Sequence, residues 1–272
     1  MINLKQSLST GITILFLSLL AVSCAQEADD EARLNPEETF TQVDAPLSYT
    51  VAVLNVTGPW GYQKSVNKER LYPLLVSGCW GEGESNYQKI EQRYPAFVID
   101  YQKNGVSDGE KLADWIDLAI AEGYRIDPNR IYLTGFSMGG SGSFPLARGM
   151  HNKGKFFAAI IRVAGQSESD LGEEIAKETA VWYHIGLTDT EKRVQVARQA
   201  LETFRVYACN KKAKETTETD DITGHERTTI TLTRSGTPYF KYSEYTDMGH
   251  TPSPCYKDKE LFPWMFSMSL DN

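Results

Sequence analysis

Between Arg130 and Gly140 the chain reads RIYLTGFSMGG, and no other stretch narrows the choice of folds so far. Ile131 to Thr134 form an apolar run suited to a buried strand. Within five residues the chain must then turn and begin a helix. Gly135 and Gly139 lack Cβ atoms, so strand and helix can approach each other there without collision. So tight a turn strains the backbone at Ser137 and pushes its side chain out at the carboxyl edge of a sheet. The following helix aims its positive end at the same place. G-x-S-x-G at a strand-to-helix junction is the pattern that exposes a serine as a nucleophile. The competing readings are a phosphate loop, whose lysine is absent here, and an ordinary tight turn.

From about residue 46 onward, apolar runs alternate with helical patterns. Residues 47–58, 71–77, 94–101, 130–134, 156–165, 179–186 and 238–245 read as strands. Leu112, Trp115, Ile116, Ala119 and Ile120 recur at helical spacing before Gly123. Residues 191–208 form an amphipathic helical pattern, and 257–270 a terminal one. The strand runs are apolar without alternation, as burial on two sides requires. The prediction is an α/β fold, a mostly parallel central sheet with helices on both faces. The polar, Thr-rich stretch 212–229 reads as an excursion carrying one hairpin. Pro145, eight residues past Ser137, predicts a bend or break in the helix after its first two turns, because proline inside a helix costs about 3 kcal/mol.

The first 45 residues do not belong to this pattern. Lys5 precedes the mainly apolar run ITILFLSLLAV, which is shorter than the roughly 20 residues a bilayer span needs and fits the core of a signal peptide. The reading is a signal peptide over 1–23, an acidic tether over 24–45 and one domain over 46–272. The run ends at AVSC, and Cys24 after small Ser23 resembles the lipidated first residue of bacterial lipoproteins. The acidic residues just after it resemble surface-export signals of some Gram-negative lipoproteins. That implies an exported, envelope-bound protein whose membrane attachment is a lipid at Cys24; a soluble secreted protein in which Cys24 is incidental is the alternative. The formal net charge of −8 disfavours nucleic acid and anionic membrane as partners. The four histidines are dispersed and no cysteines pair at zinc spacing, so no metal and no cofactor are expected.

A nucleophilic serine needs a base and an orienting acid. His250, in the glycine-bearing stretch DMGHTPSP after the last strand, can swing over the sheet edge toward Ser137. His184 lies inside an apolar run and reads as core, His225 lies in the polar stretch, and His151 lies in the helix after the serine. Asp189 follows a strand and precedes a helix, which suits an orienting acid or a helix cap. Asp247 and Glu244 are alternatives, but both lie too near His250 on the same strand end.

DPNRIYLTGFSMGG resembles the serine turn of α/β-hydrolases of the feruloyl esterase, polyhydroxyalkanoate depolymerase-like and prolyl-oligopeptidase-type group. Gly186 to Asp189 matches that group's G-x-x-D, and Gly249-His250 its G-H. The resemblance spans about residues 70 to 268 and implies a Ser137–His250–Asp189 triad. It also implies an oxyanion hole from the backbone N–H of Met138 and of Cys79 or Trp80. Ser77-Gly78 stands where the group has His-Gly, a departure that leaves the oxyanion loop's glycines in place. Trp80 would wall an acyl pocket or serve packing. In this fold the loops bearing Cys79 and Cys255 meet above Ser137, which suggests a disulfide between them; Cys209 with Cys255, or no bridge, is the alternative. The activity implied is serine carboxylic-ester hydrolysis on small or polysaccharide-linked esters. A peptidase of the prolyl-oligopeptidase type is the alternative, disfavoured because about 25 tether residues leave no room for a propeller. A non-catalytic glycan-binding lipoprotein on the same scaffold is the other.

Overall fold

The computed structural model describes residues 48–51, 54–59, 62, 69–78, 86–89, 93–209, 214–234 and 236–271. The expected signal peptide, the tether, Cys24, Cys79 and Trp80 lie outside the described residues. Ten strands build one sheet: β1 (Ser48–Val51), β2 (Leu54–Thr57), β3 (Tyr72–Ser77), β4 (Phe97–Asp100), β5 (Ile126–Phe136), β6 (Ala159–Val163), β7 (Ala180–Gly186), β8 (Lys214–Ile222), β9 (His225–Arg234) and β10 (Thr237–Tyr245). Their spatial order is β1-β2-β4-β3-β5-β6-β7-β10-β9-β8. The six central strands, β4 through β10 in that order, pair in parallel. The flanking strands pair antiparallel. Every residue of β3, β6 and β7 is buried. This is why those segments are apolar throughout rather than alternating.

Helices cover both faces, and the strand period assigns each to its side, since neighbouring residues of a strand point to opposite faces. The long helix α1 (Val106–Ala121) packs on α2 (Met138–Asn152). Their backbones touch at paired glycines: a Cβ on Gly149 would lie 2.0 Å from the Val106 carbonyl, and one on Gly109 2.2 Å from that of Leu146. Phe144 of α2 lies against the Arg162 guanidinium, whose strand position is in register with Tyr183. The short α3 (Glu173–Glu178) leads into β7. Helix α4 (Glu191–Cys209) stacks Phe204 on Phe240 at 4.0 Å, and Phe240 is in register with Val181. These contacts place α2 and α4 on the face of Val181 and Tyr183. The opposite face is covered by α5 (Ser253–Tyr256) and α6 (Leu261–Phe266). Tyr256 bonds Thr134, Phe266 meets Tyr132 edge-on and Trp264 meets Trp182 edge-on.

Four expectations need correction. Helix α2 runs unbroken from Met138 to Asn152 through Pro145, so no break occurs there. The proline removes one N–H from the ladder, and the close backbone contact with α1 holds the helix on either side of it. The 212–229 stretch does hold a hairpin, turning at Thr223 (φ 54°) and Gly224 (φ 86°). It is not an excursion, because β9 pairs along nearly all of β10 and extends the sheet. A buried ion pair, Arg227 with Asp258, ties it to the segment before α6, and Arg227 also grips Asp220 at 2.9 Å. Finally, Cys255 is a buried free thiol, so the expected bridge to Cys79 is not made. Helix α5 turns Cys255 inward against the Tyr245 hydroxyl rather than toward the sheet edge. The terminal helical pattern over 257–270 is realised as α6 alone, six residues long.

Candidate active site

Strand β5 delivers Ser137 to the carboxyl edge at φ 55° and ψ −109°, a conformation that L-residues rarely hold. Three contacts sustain it. The Ser137 N–H donates to the Val163 carbonyl at 2.9 Å, and both the N–H and the hydroxyl of Ser141 donate to the Ser137 carbonyl, at 2.8 and 3.0 Å. The neighbouring glycines admit no side chain: a Cβ on Gly135 would lie 2.5 Å from the Gly139 carbonyl carbon, and one on Gly140 2.4 Å from the Val163 oxygen.

Asp189 and His250, the expected acid and base, come from loops after β7 and β10, which are adjacent parallel strands. Those loops are fastened together. Leu187 N–H donates to Tyr245 O at 2.9 Å and Thr188 N–H to Met248 O at 3.1 Å. A Cβ on Gly186 would lie 2.1 Å from the Met248 oxygen, so only glycine permits this approach. From there His250 must reach back across three inter-strand spacings, roughly 14 Å, to the end of β5. It does so: His250 Nε2 is 2.9 Å from Ser137 Oγ, and its Nδ1 is 2.7 Å from Asp189 Oδ2. Phe136, the residue before the serine, packs its ring on the imidazole at 4.6 Å.

The Asp189 side chain is 1 % exposed, against 34 % for His250. Its other oxygen accepts the Thr190 N–H at 2.6 Å and Arg193 Nη1 at 3.1 Å. A buried carboxylate needs such donors to satisfy its oxygens and fix its orientation. The alternative acids are engaged elsewhere, Asp247 with His225 at 2.9 Å and Glu244 with Arg198 at 2.8 Å. His184 is buried within β7, stacked on Trp182 at 5.0 Å and bonded to the Tyr245 hydroxyl at 3.2 Å. Burial, then Arg227 and Lys241, hold its pKa well below the ordinary histidine value. His151 lies near the end of α2 beside Phe156.

Met138 is the first residue of α2, where helical N–H groups have no intrahelical partner. Gly78, at the end of β3, donates its N–H to Thr134 O at 2.6 Å, so the chain leaving β3 starts out beside the strand that carries Ser137. The other two proposed oxyanion donors, Cys79 and Trp80, lie just past the described residues. Three residues that the sequence reading did not single out also touch this cluster: Arg193, Gln166 and Ser141. Arg193 was discoverable from its spacing, four residues after an acid at a helix start. Gln166 lies in a loop whose composition carries no such mark. Among the described residues, no three His, Cys, Asp or Glu side chains gather to hold a metal ion.

A parallel sheet flanked by helices, with a serine on a strained turn at its carboxyl edge, is the α/β-hydrolase fold. No protein-family model matches the chain. Among curated proteins it is similar to the bifunctional acetylxylan esterase/xylanase of Neocallimastix patriciarum, 26 % identical over 202 residues. That match covers 66 % of this chain and 29 % of the fungal protein, so the chain spans less than a third of its relative. Among solved structures it is similar to a thermostable esterase, with a TM-score of 0.54, 19 % identity, and coverage of 85 % of this chain and 64 % of that one. Similar too is dipeptidyl peptidase 4 of Porphyromonas gingivalis, with a TM-score of 0.51, 14 % identity, and coverage of 83 % of this chain and 35 % of that one.

Proposed function

We propose that this chain is a serine carboxylic-ester hydrolase acting through an acyl-enzyme. The observation that carries the reading is the unbroken hydrogen-bond chain from Asp189 through His250 to Ser137 Oγ, with Ser137 held at positive φ at the start of α2. In this reading His250 Nε2 takes the Ser137 hydroxyl proton as Oγ attacks the ester carbonyl. The tetrahedral oxyanion accepts hydrogen bonds from Met138 N–H and from a backbone N–H at Cys79 or Trp80, each worth about 3 kcal/mol of barrier. His250 passes its proton to the departing alkoxide. A water, deprotonated by His250 in turn, attacks the acyl carbon and releases the acid and Ser137. Asp189 keeps Nδ1 protonated and stabilises the imidazolium. No step calls for a cofactor.

An acyl or aromatic ester on a polysaccharide is the substrate class we favour, on the likeness to a protein named for acetylxylan esterase activity. Peptidase action is the second reading, and the likeness to a dipeptidyl peptidase gives it its standing. A fluorophosphonate probe and a panel of p-nitrophenyl esters, short, long and aromatic, with a peptide anilide alongside, separate these. Labelling lost in Ser137→Ala together with ester turnover supports the proposal. Turnover of the peptide alone supports the peptidase, and no labelling supports a glycan-binding protein on a hydrolase scaffold. The proposed envelope location is tested by palmitate incorporation, which Cys24→Ala should abolish.

A further inference from the structure

The contacts around Asp189 continue beyond the three residues of the proposed triad and return to Ser137. Arg193 Nη1 donates to Asp189 Oδ1 and to Thr190 Oγ1, each at 3.1 Å. Its Nη2 donates to Gln166 Oε1 at 3.1 Å. The Gln166 backbone N–H donates to Ser141 Oγ at 2.9 Å, and that hydroxyl donates to the Ser137 carbonyl at 3.0 Å. With the bonds from Asp189 to His250 and from His250 to Ser137, six residues form a closed ring. The loop bearing Gln166 is anchored from below. The fully buried Arg162 donates to the Ser167 carbonyl and to Ser143 Oγ, the latter at 3.2 Å.

We propose that Arg193 is a positioning residue that, through Gln166 and Ser141, locks the acid of the triad to the backbone of the nucleophile; the proposal rests on the serine-hydrolase reading of the site. The guanidinium suits this task because its planar fork reaches two acceptors in different directions, which an ammonium on a flexible stem does not. Asp189 and His250 sit on loops joined to each other by backbone bonds, and toward the serine side His250 is held by its bond to Ser137 and by the Phe136 ring. Serine and imidazole sit on separate parts of the sheet edge, and a shift of about 1 Å between them costs on the order of 100-fold in rate. Arg193 gives the acid a second, independent fix to the β6–α2 side, where the serine is held.

The test reads the imidazole itself, so that it does not depend on a substrate. Wild-type protein should give a low-field proton resonance for His250 Nδ1–H, bonded to Asp189. Arg193→Met should broaden or lose that resonance while far-ultraviolet circular dichroism is retained. It should also lower kcat by roughly 10- to 100-fold with KM within about two-fold. Guanidinium ion added to Arg193→Ala should restore part of both. Gln166→Leu, at an exposed position that leaves the fold intact, should give a smaller loss of the same kind. A wild-type spectrum lacking the resonance, or a sharp one in both Arg193→Met and Gln166→Leu with kcat unchanged, overturns the proposal. A wild-type protein that takes no fluorophosphonate and turns over no ester sinks the hydrolase reading alone, and the proton spectra still decide whether Arg193 fixes Asp189.

Discussion

At the scale of single residues, the site depends on atoms that have one permitted place. Ser137→Ala should remove fluorophosphonate labelling entirely. Asp189→Asn should keep the geometry but present the wrong imidazole tautomer, lowering kcat by about ten thousand-fold in an ester assay. Gly186→Ala is a sharper probe of how Asp189 and His250 are brought together. Its Cβ would lie 2.1 Å from the Met248 oxygen, so the bond from Thr188 N–H to that oxygen must stretch. The expected result is a kcat loss of more than about 10-fold with little change in KM. Cys255 behaves in the opposite way, as an inert group. Burial pushes its thiol up to about 12, so iodoacetamide near pH 8 should spare it in the native protein and modify it after denaturation. The expected pairing of Cys255 with Cys79 rests on its place five residues after His250. Nothing in the sequence says that α5 rotates that cysteine into the core.

Among the elements, those whose packing is uniform were legible. Strands β3, β6 and β7 are buried along their whole length, and their sequences are apolar along their whole length. The turn at Ser137 was legible because its glycines are demanded by backbone contacts rather than by side chains. The β8–β9 hairpin was misjudged because β8 is exposed nearly throughout and only a few residues of β9 are buried. Its hold on the molecule comes from antiparallel pairing and from Arg227, features that composition does not report. Arg227→Leu should therefore leave Asp258, 2 % exposed, without its cation, at a cost of about 3–5 kcal/mol in urea denaturation. The contact of α1 with α2 is equally specific. Gly149→Ala would press a methyl onto the Val106 carbonyl, and a loss of about 1–3 kcal/mol is expected in the same assay.

For the molecule as a whole, stability should depend on pH through His184. The unfolded chain takes a proton there as pH falls through 6.5, while the buried native ring stays neutral to much lower pH. Unfolding thus takes up a proton below that point, and stability falls with pH by up to about 1.4 kcal/mol per unit. The urea midpoint should drop between about pH 7 and about pH 5.5, and His184→Phe should flatten that slope. The outer strand of the hairpin, β8, is an edge of the sheet, and among the described residues no strand pairs with its outer row of backbone groups. It carries Glu215, Glu218, Asp220 and Asp221. Glu215 is paired with Arg205 and Asp220 with Arg227, so it falls chiefly to Glu218 and Asp221 to oppose two copies approaching rim to rim. Stripping that charge by amide substitution would turn the rim into a template for polymerisation.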